Sequence, residues 1–353
     1  MSKYILVLFF SVLGAVIIAP LLAPGHLLTL DAVSVPVKMP WVSFWAPSFL
    51  FGNFFTGLNL FLPSYWIQKI LLFAIFFLSG WGMARLVPGN RAIKIFAGVF
   101  YAVNPFVYER IMVGQWWLLL AYALMPFVID RMLKFSLVPL AILLTVLSNL
   151  STHYFIVAGV LVLFYSLWKC KFRFVVILAG LLLLMNINWL LALLFGTSGI
   201  AQSVGTFNRT DLLSFQSISD PNLGLVFNLS SGYGFWAEAF DYFISPKSVV
   251  IFWPVLSLFF IVLAGYGAFR SVKNQNDTHF SLAVCLMILA FLALDFAGGV
   301  ALKPISGFMF SLYEKVPFLY GFREPQKLIG FVMLVYAYFG AVGLAVLKKP
   351  IFA

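Results

Sequence analysis

Charge is what this chain has least of. Only 9% of its 353 residues are Asp, Glu, Lys or Arg, against about a quarter in a soluble globular domain. So few charged side chains cannot cover a compact core with a water-facing surface, and the soluble globular classes are excluded. The two cysteines, Cys170 within "KCKFR" and Cys285 inside an apolar run, exclude a disulfide-stapled secreted fold. No cluster of Cys and His, no "HExxH" and no phosphate-binding glycine loop is present, which removes the common zinc and nucleotide sites. "SGYGF" at residues 231 to 235 and "GGV" at 298 to 300 are glycine-rich, but neither has a strand-to-helix context. Heptads, tandem repeats and related halves of the kind inverted-repeat transporters carry are also missing.

What remains is apolar: 63% of the residues are hydrophobic and 18% aromatic. The run "LIGFVMLVYAYFGAVGLAVL", residues 328 to 347, carries no charge and matches the ~20 residues that cross the hydrocarbon of a bilayer as a helix. Ten such spans are predicted, at residues 4–22, 66–86, 92–107, 116–133, 136–150, 153–168, 174–195, 248–268, 280–298 and 328–347. The fold class is therefore an all-α polytopic membrane protein, with residues 1–353 forming a single transmembrane domain. The first run follows Lys3, and "APLLAPG" offers no small-x-small cleavage site, so an uncleaved signal anchor is expected.

The net charge of +11 has a sidedness. With the N-terminus inside, the inner ends of the ten spans carry thirteen bases against Asp130 and Asp277, and the outer side carries nine bases and nine acids. The whole excess is a positive-inside signature. It predicts a plasma-membrane protein with both termini cytoplasmic, and it leaves nucleic-acid binding without support.

Three long segments then fall outside: residues 23–65, 196–247 and 299–327. Function is carried by loops on a rigid scaffold, so the active site is expected on the outer face. The aromatic stretch "WVSFWAPSFLFGNFFTGLNLFLPSYW" is too interrupted by Pro, Gly and Asn to span, and predicts short interfacial helices in the first outer loop. Spans five and six are short and joined by "SNLSTHY", residues 148 to 154. This hairpin is expected to stop below the surface and leave an apolar groove leading to His153.

Few residues in this setting carry chemistry. Asp31, about nine residues past the first span, is either a solvated helix cap or a functional carboxylate. In "NPFVYERIMVGQWW", residues 104 to 117, Tyr108 brings an aromatic tip to the interface. Glu109 and Arg110 either neutralise each other or face a substrate, Glu109 pairing with Asp31 around an acceptor hydroxyl or a divalent cation. His153 is either an interfacial histidine bonded to a carbonyl or a phosphate contact. Arg323 and Lys327, four apart in "YGFREPQKL", either snorkel to lipid headgroups or share a face toward an anion.

The order of "PGHLLTLD", "NPFVYERIMVGQ", "SNLSTHYF" and "VPFLYGFREPQK" resembles the GT-C glycosyltransferases, most closely the membrane part of the large actinobacterial arabinofuranosyltransferases and related bacterial and archaeal membrane proteins. The resemblance covers most of the chain in layout and short motifs in sequence. It implies a GT-C-like fold and transfer of a sugar from a polyprenyl-phosphate carrier to a glycan, glycolipid or protein acceptor on the outer face, with membrane lipids as further partners. It also implies that Asp31 is the catalytic base or a metal ligand, that Glu109 assists, and that Tyr108, Arg110, His153, Arg323 and Lys327 are substrate contacts. A divalent cation, Mg or Mn, is left open, because the chain lacks the paired acidic motif of the metal-dependent oligosaccharyltransferases. The rival classes are a lipid or solute transporter or flippase, which needs ionisable groups at the membrane midplane, and a non-catalytic scaffold of an envelope-assembly complex.

Overall fold

Asparagine and proline decide where several helices begin. Asn90 accepts a hydrogen bond from the Ile93 N–H at 3.1 Å and Asn104 one from the Val107 N–H at 3.1 Å, each filling a donor that a helix start leaves open. Pro105, directly after Asn104, loses nothing at a first helical position because it has no N–H to satisfy. The expected span over 92–107 is therefore two helices, the first ending at Ala102.

The computed structural model describes residues 2–32, 40–46, 48–195, 206–273 and 277–347. Parts of two expected outer loops, residues 33–39, 47 and 196–205, lie outside the described residues. The helices are α1 (Ser2–Ile18), α2 (Phe49–Asn59), α3 (Ser64–Leu86), α4 (Arg91–Ala102), α5 (Pro105–Val113), α6 (Trp116–Leu133), α7 (Leu137–Leu150), α8 (Thr152–Trp168), α9 (Phe172–Met185), α10 (Ile187–Leu194), α11 (Arg209–Ser214), α12 (Gly224–Ser230), α13 (Pro246–Val249), α14 (Trp253–Lys273), α15 (Asp277–Gly298), α16 (Lys303–Lys315) and α17 (Ile329–Leu347). No strand forms among the described residues.

Six of the ten expected spans are helices long and apolar enough to cross a membrane: Tyr4–Leu21, Ser64–Leu86, Trp116–Leu133, Trp253–Lys273, Phe280–Ala301 and Pro325–Leu347. The chain is a helical membrane protein. A seventh crossing exists if α9 and α10, bent by 77° at Asn186, form one span. The bend has a local cause. Asn186 is buried, donates to the Leu182 carbonyl at 2.8 Å and accepts from Trp189 Nε1 at 3.0 Å and from the Ser148 hydroxyl of α7, so its side chain braces the bend from both sides.

The hairpin of α7 and α8 is short, with 14 and 17 residues, or about 21 and 26 Å at 1.5 Å per residue. In the aromatic loop, α2 forms, and its Leu50 N–H donates to Asn149 Oδ1 of α7 at 3.2 Å. At the centre runs α17, buried along most of its length. It crosses α14 with backbones nearly touching: a Cβ on Gly267 would lie 1.9 Å from the Phe339 carbonyl oxygen, and one on Gly343 would lie 2.6 Å from the Leu263 carbonyl oxygen. Small residues at such crossings are the membrane substitute for a hydrophobic driving force between helices.

Candidate functional site

The stretch that carries Asp31 is tied down at both ends. Near its start, His26 and Ser64 Oγ are 2.7 Å apart, the Leu27 N–H donates to Gln68 Oε1 at 3.1 Å, and the buried Lys69 donates to the Ala23 carbonyl. Near its end, the Asp31 N–H donates to the Val113 carbonyl at 2.8 Å. That last contact needs Gly114. Its φ of +90° ends α5 in the left-handed region, and a Cβ there would lie 2.0 Å from Thr29 Oγ1 and 2.6 Å from the Ala32 nitrogen. Only glycine combines that conformation with so close an approach.

The residue after Gly114 organises the site. Gln115 is buried, and its Nε2 donates to Asp31 Oδ2 and to Glu324 Oε2, each at 2.9 Å. Its Oε1 accepts from Arg110 at 3.2 Å. This orientation of the amide follows from its neighbours, since guanidinium has only donors and ionised carboxylates only acceptors. Two carboxylates from distant parts of the chain thus stand on one amide nitrogen, within about twice a hydrogen-bond length of each other.

Glu324 gathers further donors. Lys327 Nζ binds its Oε1 at 3.0 Å and Trp236 Nε1 its Oε2 at 3.2 Å. Burial pushes the Glu324 carboxyl up, but Lys327, Arg110 and the hydrogen bonds from Gln115 and Lys327 outweigh it and hold the group at about 2. Burial also brings the Arg110 guanidinium down to about 10, against the opposing pull of Glu109, Glu324 and Asp31. Arg110 remains a cation at neutral pH, with its guanidinium 3.5 Å from the Phe235 ring centroid. Asp31 itself is exposed.

The sequence pairs Asp31 with Glu109. In the structure, the carboxylate joined to Asp31 is Glu324. The reason is helical geometry: successive residues are about 100° apart around a helix, so with Arg110 turned toward Gln115 its neighbour faces elsewhere. Glu109 is buried, and one of its oxygens has no hydrogen-bond partner among the described residues. Burial and then Glu238 raise its carboxyl well above the usual range, with Arg110 and Lys247 opposing. Tyr108 turns outward, its hydroxyl donating to the Ile244 carbonyl at 2.9 Å. The guanidinium of Arg323 lies 3.9 Å from the Phe207 ring centroid and 4.9 Å from that of Phe215.

His153 stands at the start of α8, its ring 4.4 Å from that of Phe322, with Nε2 buried and unpartnered among the described residues. It borders an apolar groove of about 590 Å³ between α8 and α15, walled by Val157, Leu161, Leu289, Leu292 and Phe296 and roofed by Met309 and Tyr313 of α16. The expected groove along the hairpin is therefore present and reaches His153. Its walls continue to Phe322 and Pro325, which flank Arg323 and Glu324.

Gln115, Glu324 and Trp236 were not singled out from sequence. Gln115 and Glu324 lie inside the quoted motifs, but nothing local marks a glutamine or one of eleven acids as the meeting point of segments over two hundred residues apart. A resident divalent cation does not suit the arrangement at Asp31. Such ions take oxygen ligands, whereas an amide N–H group lies between the two carboxylates, and Arg110, Lys327 and Trp236 bring donors as well. Among the described residues no three of His, Cys, Asp and Glu are grouped as metal ligands would be. No protein-family model, curated protein or solved structure matches this chain, so the chemistry of the site rests on its own geometry.

Proposed function

We propose that the chain is a GT-C-type membrane glycosyltransferase, moving a sugar from a polyprenyl-phosphate carrier to an acceptor hydroxyl on the outer face of the plasma membrane. The observation that carries this reading is a juxtaposition: an apolar groove running to His153, and at that end a group of cations and carboxylates containing Arg110, Lys327, Glu324 and the exposed Asp31. An amphiphile with a long apolar tail and a phosphate head has that same division. A sugar on a polyprenyl phosphate is already activated, so the transfer needs no nucleotide site.

Each residue then has a task. Asp31 takes the proton of the acceptor hydroxyl as its oxygen bonds to the anomeric carbon, and the bond from that carbon to the phosphate oxygen breaks. The departing phosphate carries the electron pair, and Arg110, Lys327, Arg323 and His153 are the groups available to receive its charge. Gln115 holds Asp31 in position and ties it to Glu324, which in turn positions Lys327.

The test uses purified chain in lipid nanodiscs with polyprenyl-phosphate-linked sugars as donors. Asp31→Asn keeps the hydrogen bond from Gln115 and removes the base. It is expected to lower transfer by roughly 10²-fold or more while carrier binding stays intact. Full transfer by Asp31→Asn would remove Asp31 from the mechanism. Mass spectrometry of co-purified lipid is expected to find a polyprenyl phosphate.

A further inference from the structure

Neighbouring residues of α5 face different surroundings: Arg110 turns to Gln115 and the groove end, and Glu109 turns to Glu238 and Lys247. One helical turn before Glu109, Pro105 borders a second cavity of about 490 Å³ between α4, α5, α12, α14 and α17. Its wall is aromatic, built from Phe96, Phe100, Tyr233, Trp253, Phe260 and Tyr336, and Asn104, Ser230, Ser231 and Ser257 add polar groups. On its rim, Val103 and Leu256 are half exposed. Apolar rims exposed on a membrane bundle open toward lipid.

The charged groups beside this cavity differ from those at the groove end. Lys247 Nζ lies 4.8 Å from the Tyr233 ring centroid and 5.3 Å from that of Trp253. It pairs with Glu238 at 3.0 Å and with Asp220 at 3.8 Å. One cation already held by two carboxylates leaves no attraction for a phosphate, whereas Asn104, Ser230, Ser231 and Ser257 in the cavity wall suit hydroxyl groups.

We propose that this cavity binds a lipid whose headgroup is neutral and rich in hydroxyls, and that this lipid is the acceptor of the transfer. The acceptor role rests on the transferase reading; the binding does not. The two amphiphiles are told apart by head charge, the anionic one at the groove end beside Arg110 and the neutral one in the cavity beside the already paired Lys247.

The test is photo-crosslinking of the full chain in phosphatidylcholine nanodiscs with two probes of identical diazirine-bearing acyl chains, a monoglucosyl diacylglycerol and a phosphatidylglycerol. The neutral probe is expected to label peptides spanning residues 96–105 or 253–260 about tenfold more than the anionic one, with suppression by excess unlabelled glucosyl lipid. Ser257→Trp, which fills the cavity, is expected to cut that labelling about fivefold. Labelling of α8 and α15 by a diazirine polyprenyl phosphate is expected to be unchanged in that variant, which reports an intact fold. Equal labelling by both diacyl probes, or labelling that competitor leaves unchanged, would overturn the site. Labelling without transfer to the glucosyl lipid, when Asp31→Asn also changes nothing, would remove the transferase reading and keep the cavity. Transfer only to water-soluble acceptors, with no cavity labelling, would remove this proposal and keep the transferase.

Discussion

Replacing Gln115 by Glu swaps an amide that donates to two carboxylates for a group that, if ionised, repels both. At an effective dielectric of ~20, a charge about 2.9 Å from Glu324 meets roughly 6 kcal/mol of repulsion, and about 5 kcal/mol of attraction to Arg110 at 3.2 Å nearly cancels it. Asp31 decides the balance. Screened by water, as its exposure allows, it adds about 1 kcal/mol; at the interior dielectric it adds about 6 kcal/mol. Ionisation is thus disfavoured by about 2 to 6 kcal/mol, and the new carboxyl has a folded-state pKa above its unfolded value of about 4.3. The charge penalty on the variant's stability is then absent below pH ~4 and grows as pH rises through the folded value. The assay is the apparent melting temperature of wild type and Gln115→Glu in nanodiscs between pH 4 and 8, where the gap should open with rising pH. A gap that stays constant, or closes at high pH, would refute the arrangement of two carboxylates on one amide.

The remaining tests probe neighbouring links. Gly114→Ala forces a Cβ against Thr29 and Ala32 at a positive φ, so it is expected to displace the Asp31 loop and lower transfer about tenfold or more with membrane insertion unchanged; wild-type activity would show that this docking is dispensable. Glu324→Gln removes a carboxylate held at about 2, so its stability deficit at pH 7 should shrink as pH falls toward 2, and a deficit unchanged down to pH 2.5 would contradict the pairing with Lys327 and Arg110. Lys327→Ala is expected to raise KM for the carrier and to lower kcat as well, because a phosphate contact made in the ground state strengthens as charge builds on the departing phosphate. Reporter fusions at Asn90 and Lys171 should read cytoplasm and one at Ser217 the outer side; a single inversion would break the positive-inside orientation.

The local and additive properties of this chain are readable from its sequence. Membrane insertion follows from apolar run length, because in hydrocarbon every backbone polar group must be satisfied within its own helix. The short hairpin of α7 and α8 and the groove reaching His153 follow from run lengths that act over a few residues. Helix number was less legible, since the expected span over 92–107 divides into α4 and α5, and α7 and α8 are apolar runs shorter than the ~20 residues of a typical crossing. The site itself was decided by tertiary structure. Asp31, Arg110, His153 and Lys327 stood out as charged or titratable groups in apolar surroundings, but which carboxylate meets Asp31 depends on the angle at which α5 presents Arg110 rather than Glu109. It depends equally on the glycine that lets the Asp31 loop touch that helix, and on the path that brings Glu324 back to Gln115. These are relations between segments far apart in the chain, and a hydrogen bond of 2.9 Å across such a separation leaves no periodicity or spacing in the sequence to reveal it.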